Sequence, residues 1–85
     1  DMQKLRPDLD IGKNIQALRR KCGYTQEQVL AKMQLAGIPI SKSSYAKIET
    51  NRLNIKVSEL VALKNILKCG YDDFFLPCEA EMKED

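Results

Sequence analysis

Apolar residues recur every three or four positions along most of this 85-residue chain, a spacing typical of helices that bury one face. The first apolar stripe consists of Ile11, Ile15, Leu18 and Cys22. It predicts a helix over residues 11–21, which Asp10 can cap at its start. Gly23 can end this helix in a left-handed conformation.

A second helix is indicated by the stretch "YTQEQVLAKMQL". Thr25 and Gln28 have the spacing of a capping box, in which each side chain bonds a backbone N–H of the other residue. The apolar residues then continue to about Leu35. Gly37 and Pro39 interrupt the pattern, so we expect the helix to end before them.

Three further helices follow from the same pattern. Ser41 is expected to cap a third helix over residues 42–50, whose inward stripe is short and rests on Tyr45 and Ile48. A fourth helix is predicted over residues 57–68, ended by Gly70. Its inward side chains are Leu60, Leu63 and Leu67, with Val61 and Ile66 widening the face.

The last helical segment predicted covers residues 71–76, one or two turns that place aromatic side chains on the core. No stretch has a strand pattern. The expectation is therefore an all-α, compact five-helix domain over residues 11–76. We expect residues 1–10 to be a flexible N-terminal segment and residues 77–85 an acidic C-terminal tail.

The composition narrows the classes of function. No apolar run reaches the ~18–20 residues of a membrane span, so no membrane partner is expected. The chain has three cysteines and no histidine, and no CxxC pair occurs. We therefore expect reduced, partly buried cysteines, with neither a metal nor a cofactor. An enzyme is also not expected, because the sequence has no phosphate-binding glycine loop and no nucleophilic side chain with a recognisable general base beside it.

Positive charge is concentrated in the first half of the chain. The formal net charge of the chain is +2, but residues 11–55 contain eight basic and two acidic residues. The last seven residues contain four acids and one lysine. This distribution favours contact between the first half and a polyanion, although a surface of charged, solvated side chains would give the same pattern.

The third helix has a polar and basic outer face. Its outward positions are Lys42, Ser43, Ala46, Lys47 and Thr50, and residues 41–48 contain no acid. A helix that enters the major groove of DNA needs short polar and long basic side chains, because phosphates repel acids. Helices two and three therefore have the pattern of a helix-turn-helix.

The segments "GYTQEQVLAKM", "ISKSSYAKIETNR" and "CGYDDFF", in this order and spacing, resemble the lambda-repressor-like, Cro/Xre-type helix-turn-helix family. The resemblance covers residues 11–76. It implies a cytoplasmic, bacterial or phage-encoded transcriptional regulator, with repression the expected action. It also implies binding of double-stranded DNA as a homodimer on a palindromic operator, with the third helix in the major groove.

The resemblance also implies roles for individual residues. The base-reading positions fall on Lys42, Ser43 and Lys47. The positions that contact phosphates fall on Gln26, Ser41, Ser44, Asn51 and Arg52. A buried ion pair between the first and third helices falls on Arg19 and Glu49.

Each assignment has a simpler alternative. The two lysines of the third helix could be ordinary surface charges, Ser41 a cap only, Ser44 a packing residue, and Gln26 part of its own helix cap. Tyr45 is expected in the core. The same fold could instead be a protein-interaction module, antitoxin-like or an anti-repressor component, that binds through the apolar segment around residues 74–76.

The connection "QLAGIPI" departs from the family pattern, because it is about five residues longer than the usual short turn. Leu30 also replaces a small residue in the middle of the second helix. Both changes could alter the tilt of the third helix. We expect Ile38 and Ile40 to anchor this long turn to the core.

Overall fold

The computed structural model describes residues 4–5, 10–52 and 54–76. Four longer helices are present: α1 (Ile11–Lys21), α2 (Gln26–Leu35), α3 (Lys42–Glu49) and α4 (Val57–Leu67). A short helix, α5, follows at residues 72–76. Two short strands, β1 (Lys4–Leu5) and β2 (Ile55–Lys56), complete the described elements. The predicted all-α, five-helix architecture is confirmed.

The first three helices begin at the capping residues that the sequence indicates. The Asp10 carboxylate accepts from the Lys13 N–H at 3.1 Å, and Thr25 and Gln28 form the complete capping box. The Ser41 hydroxyl accepts from the Ser44 N–H at 3.1 Å. Each cap satisfies a backbone donor that has no partner within its helix, which fixes the starting residue.

Helices α1, α2 and α4 are each followed by a residue in the left-handed backbone conformation, but after α4 this residue is not the predicted glycine. Gly23 and Gly37 have φ of 78° and 87° after α1 and α2. Gly70 does not end α4, as the sequence predicted, because α4 ends at Leu67 and Lys68 itself takes the left-handed conformation, with φ of 55°. The Gly70 N–H instead donates to the Asp73 carboxylate at 2.8 Å, which supports the start of α5.

The core lies between the four longer helices and α5. Its fully buried side chains include Tyr45, Phe74, Ile15, Met33, Ile55, Leu63 and Val29. The expectation that Val61 widens the inner face of α4 is wrong, because 39% of Val61 is exposed. Among the aromatic residues of the last segment, Phe74 is buried, whereas Tyr71 is exposed. Asn14 of α1 donates to the Phe74 carbonyl, so α5 is also held by a buried hydrogen bond.

The two strands form an antiparallel pair that the sequence did not indicate. Lys4 pairs with Lys56 and Leu5 with Ile55. Strands of two residues carry too little alternation for a sequence pattern to reveal them. The other residues of the predicted flexible segment, apart from Asp10, lie outside the described residues, as does the predicted tail at residues 77–85.

The long connection between α2 and α3 covers residues 36–41. Ile40 is buried in the core and Ile38 packs partly against it, as expected. The Ile38 N–H donates to the Met33 carbonyl at 3.0 Å, and the Gln34 side chain donates to the Ile40 carbonyl at 3.1 Å. These contacts attach the turn to α2 and to the core. Leu35, at the end of α2, is nevertheless 88% exposed.

The described residues include neither a membrane-spanning helix nor a cluster of side chains suited to a metal ion. None of the described helices is long and apolar enough to cross a membrane. No group of three or more His, Cys, Asp or Glu side chains among these residues is arranged to hold a metal ion.

The expectation of partly buried cysteines fits Cys69, whereas Cys22 is exposed. Cys78 lies outside the described residues.

Candidate nucleic-acid interface

The third helix separates a buried inner face from an exposed outer face. Tyr45, Ile48 and Glu49 point inward, with exposed fractions of 1%, 2% and 4%. Lys42, Ser43 and Lys47 are exposed to solvent. Because residues four apart share a helix face, Ser43 and Lys47 lie on one exposed face of this eight-residue helix, and Lys42 precedes them as its first residue.

The predicted ion pair between α1 and α3 is present and buried. Arg19 donates from Nε to Glu49 Oε2 at 2.7 Å and from a terminal nitrogen to Oε1 at 3.1 Å. Only 9% of the Arg19 side chain and 1% of the Glu49 side chain are exposed. A guanidinium that donates twice to one carboxylate fixes the direction as well as the distance of the contact. The pair therefore sets the position of α3 on α1.

Two further side chains donate to the same carboxylate. The Tyr45 hydroxyl donates to Glu49 Oε2, and the Gln26 amide donates to Oε1 at 2.9 Å. Arg19 also donates to the Tyr24 carbonyl at 2.8 Å. Side chains from α1, α2 and α3 thus meet at Glu49, whereas the sequence suggested only its contact with Arg19.

The protonation states of this cluster follow from the same contacts. Burial alone would raise the pKa of Glu49, but the hydrogen bonds from Arg19, Tyr45 and Gln26 outweigh it and lower that pKa. The hydrogen bond to Glu49 raises the pKa of Arg19. Burial, and then the hydrogen bond to Glu49, raise the pKa of Tyr45. At neutral pH the cluster therefore holds an ionised pair and a neutral tyrosine.

Gly12 brings the start of α1 against the end of α3. A Cβ atom added at Gly12 would lie 2.6 Å from the carbonyl oxygens of both Ile48 and Glu49, well inside van der Waals contact. The Gly12 N–H also faces Asn51 Oδ1 at 3.4 Å, a long hydrogen bond. Only a glycine fits this approach, because the neighbouring atoms belong to the backbone. Sequence reasoning missed this residue, although a glycine in the first turn of a helix is a signal of close packing.

The start of α3 is built from its own hydroxyl residues. Ser41 caps the helix through the Ser44 N–H, and its hydroxyl also donates to Ser44 Oγ at 3.0 Å. Ser41 is exposed and Ser44 is half-buried. The first N–H groups of α3 and the two hydroxyls therefore lie together at the N-terminal end, where the helix dipole favours an anion.

An acid from α2 lies beside this basic face. Glu27 Oε2 is 3.3 Å from Lys42 Nζ, and more than 70% of both side chains is exposed. Residues 41–48 contain no acid, but the fold places one next to them. Lys47, in contrast, makes no ion pair within the described part of the chain. Arg52, after α3, donates to the Thr50 hydroxyl at 3.1 Å and is otherwise exposed.

Comparison with protein families identifies this arrangement. A family model described as helix-turn-helix, of the lambda-repressor-like Cro/C1 type, matches residues 15–74, which is most of the chain. The chain belongs to this helix-turn-helix family. The family is one of DNA-binding regulators. No curated protein and no solved structure matches the chain.

The matched helix-turn-helix segment includes all the residues assigned to DNA from the sequence. Lys42, Ser43 and Lys47 are all exposed on α3, and Ser41 and Ser44 lie at the N-terminal end of the same helix. Two other assigned residues also take part in internal contacts. Gln26 is half-buried and bonded to Glu49, while Asn51 has a left-handed backbone, with φ of 61°, and lies against Gly12.

The surface proposed for an interaction module in this helix-turn-helix protein is smaller than its sequence suggests. Phe74 is completely buried and Phe75 is partly buried against the core. Leu76 is 50% exposed. One of the two phenylalanines expected to bind a partner is therefore used inside the domain.

Proposed function

We propose that this helix-turn-helix protein is a sequence-specific transcriptional repressor that inserts α3 into the major groove of DNA. The observation that carries the proposal is the contrast between the two faces of α3. Its inner face is fixed by the buried Arg19–Glu49 pair, and its outer face exposes Lys42, Ser43 and Lys47. A rigidly held helix with exposed hydrogen-bond donors meets the geometric requirement for reading bases.

In this proposal the base contacts come from Lys42, Ser43 and Lys47. Lysine ammonium groups donate to guanine O6 and N7, and a serine hydroxyl can donate or accept. Lys47 is the stronger candidate of the two lysines, because it has no ion-pair partner among the described residues. Lys42 has to leave Glu27 before it can contact a base.

We assign the phosphate contacts to residues at the start of α3 and just beyond its end. The Ser41 and Ser44 hydroxyls and the free N–H groups at the helix start favour one phosphate, and the exposed Arg52 favours another beyond the helix end. Gln26 and Asn51 would contact phosphates from positions that also make contacts inside the domain. Such contacts fix the register of a protein on DNA without reading sequence.

We also propose that the protein acts in the cytoplasm as a homodimer on a palindromic operator. A two-fold protein presents two copies of α3, and each copy would occupy one half-site. Half-sites about one helical turn apart, roughly 34–36 Å, would match such a dimer. Repression would follow where the operator overlaps the start of a transcription unit.

The experiment is selection of bound sequences from a random DNA pool, followed by fluorescence anisotropy on the selected duplex. Lys47→Ala should weaken binding by about fivefold or more and relax the preference at one base position, since a specific base contact contributes ~1–3 kcal/mol. Arg52→Ala should weaken binding to all sequences and reduce the salt slope by about 1.

The matched control is Lys21→Ala, which removes the same charge from an exposed position beside α4. It should change the affinity by less than about threefold. The proposal fails if no sequence is enriched, if binding does not weaken as salt rises, or if the control loses as much affinity as Lys47→Ala. Selected sites without two-fold symmetry would contradict the dimer alone.

A further inference from the structure

Two cysteines that are distant in the sequence line one cavity beside α4. Cys22 follows the last residue of α1, and Cys69 lies between α4 and α5. Both line a cavity of about 260 Å³, together with Leu18, Leu67 and Asp73. They are separated by 47 positions in the sequence, so only the fold brings them together.

A hydrogen bond places Cys22 against the residue two positions before Cys69. The Cys22 thiol donates to the Leu67 carbonyl, with 3.2 Å between the sulfur and the oxygen. Leu67 precedes Cys69 by two residues, and two consecutive Cα spacings are at most about 7.6 Å. The left-handed Lys68 turns the chain between them, so that Cys69 lines the same cavity as Cys22.

The two thiols differ in their exposure to solvent, and therefore in how readily an oxidant reaches them. Cys22 is exposed, whereas Cys69 is partly buried. Burial, the charge of Asp73 and the neighbouring Cys22 raise the pKa of Cys69, so Cys69 stays protonated at neutral pH. An oxidant in solution therefore reaches Cys22 first, and Cys69 is kept as a second thiol beside it.

We propose that Cys22 and Cys69 are a dithiol modification site, at which hydrogen peroxide converts the two thiols into one intramolecular disulfide. The site joins the C-terminal end of α1 to the connection between α4 and α5. It lies at the opposite end of α1 from the Gly12 contact with α3, and it does not depend on DNA binding.

The reaction balances with peroxide as the only oxidant. The Cys22 thiolate attacks one peroxide oxygen, the O–O bond breaks, and Cys22 becomes a sulfenic acid as one water is released. Cys69 then loses its proton and attacks the Cys22 sulfur. The S–S bond forms, the S–O bond breaks, and a second water leaves with that proton. Two thiols and one peroxide therefore give one disulfide and two waters.

The linkage should raise thermal stability. It closes a long loop in the unfolded chain and so reduces the entropy of the unfolded state. For a domain of this size we expect the midpoint of thermal unfolding to rise by about 5 °C or more in the oxidised protein. Reduction with dithiothreitol should reverse the rise.

The test treats the reduced full chain with hydrogen peroxide, blocks the remaining thiols and digests it without reductant. Mass spectrometry should find a peptide pair linked through Cys22 and Cys69, and thermal unfolding should shift upward. Cys78→Ser is the matched control, because it removes the third cysteine and should behave like the unchanged chain. Cys22→Ser and Cys69→Ser should give neither the linked peptides nor the shift.

Three results would overturn the proposal. These are a linkage through Cys78, a dimer linked between two chains, and oxidation of Cys22 to a sulfinic acid while Cys69 remains a free thiol. Cys69→Ser separates the last result from the expected reaction. Without the second thiol, Cys22 should progress to the sulfinic acid, and with it Cys22 should stop at the disulfide.

Discussion

The two ends of α3 are held in different ways. At the C-terminal end, Glu49 receives hydrogen bonds from three other side chains, and Gly12 of α1 lies against the last carbonyls of the helix. At the N-terminal end, the helix is capped by its own Ser41 and preceded by the long turn anchored through Ile40. Its one ion pair there, between Lys42 and Glu27, is exposed to solvent.

The two ends of this short helix should therefore contribute unequally to the stability of the domain. A buried, doubly hydrogen-bonded ion pair is costly to break, because the remaining partner is left charged and without water. An exposed pair contributes only ~0–1 kcal/mol, because water and salt replace the lost partner. The residues proposed to read bases are therefore free to exchange partners, while the cluster around Glu49 keeps the helix in place.

The largest expected effect comes from breaking the cluster at Glu49. Arg19→Met keeps much of the side-chain volume but leaves the Glu49 carboxylate buried without its cation, so we expect a loss of about 3–5 kcal/mol in the free energy of unfolding. The control is Glu27→Gln in α2, which removes the carboxylate that pairs with Lys42 at the other end of α3, and it should cost less than ~1 kcal/mol. Urea unfolding monitored by circular dichroism measures both. Equal losses would remove the contrast between the two ends.

A smaller loss is expected from filling the contact between α1 and α3. Gly12→Ala places a methyl group 2.6 Å from two backbone oxygens, and a shift of either helix should cost about 1–3 kcal/mol. Gly70→Ala is the matched control, because its added Cβ would approach only the Asp73 side chain, at 3.7 Å. It should be neutral within ~0.5 kcal/mol. If thermal unfolding shows the two variants to be alike, the close approach at Gly12 is contradicted.

The smallest effect should come from the N-terminal cap of α3. Ser41→Ala removes the acceptor for the Ser44 N–H and should lower stability by about 1 kcal/mol. Ser43→Ala changes an exposed serine of the same helix and should stay within ~0.5 kcal/mol. Denaturant titration can distinguish these values. A Ser41→Ala loss as large as that of Arg19→Met would mean that the cap, rather than the cluster, holds the helix.

Sequence reasoning located the helices well wherever local chemistry decides their ends. The bounds of α1 agree with the prediction, because Asp10 and Gly23 act through backbone contacts within a few residues. The end of α4 was misplaced because a lysine adopted the left-handed conformation before the chain reached Gly70. No local signal marks such a lysine, since residues other than glycine enter this conformation only when their surroundings enforce it.

Most contacts between segments that are distant in the sequence could not be predicted from the sequence. The pairing of Arg19 with Glu49 was expected from the family resemblance, but the convergence of Gln26 and Tyr45 on the same carboxylate was not. Glu27 beside Lys42 was also missed, because the acid belongs to a different helix from the lysine. The assignments of individual residues to DNA stay predictions.

The hydrogen bond from Asn14 to the Phe74 carbonyl also affects the order in which the chain folds. It joins residues 60 positions apart, whereas Arg19 and Glu49 are separated by 30. Doubling the length of a closing loop costs only ~0.6 kcal/mol of entropy, which corresponds to roughly a threefold difference in rate. We therefore expect α1, α2 and α3 to assemble around Glu49 slightly ahead of the docking of α5. Helix α3 would then be in position before α5 docks.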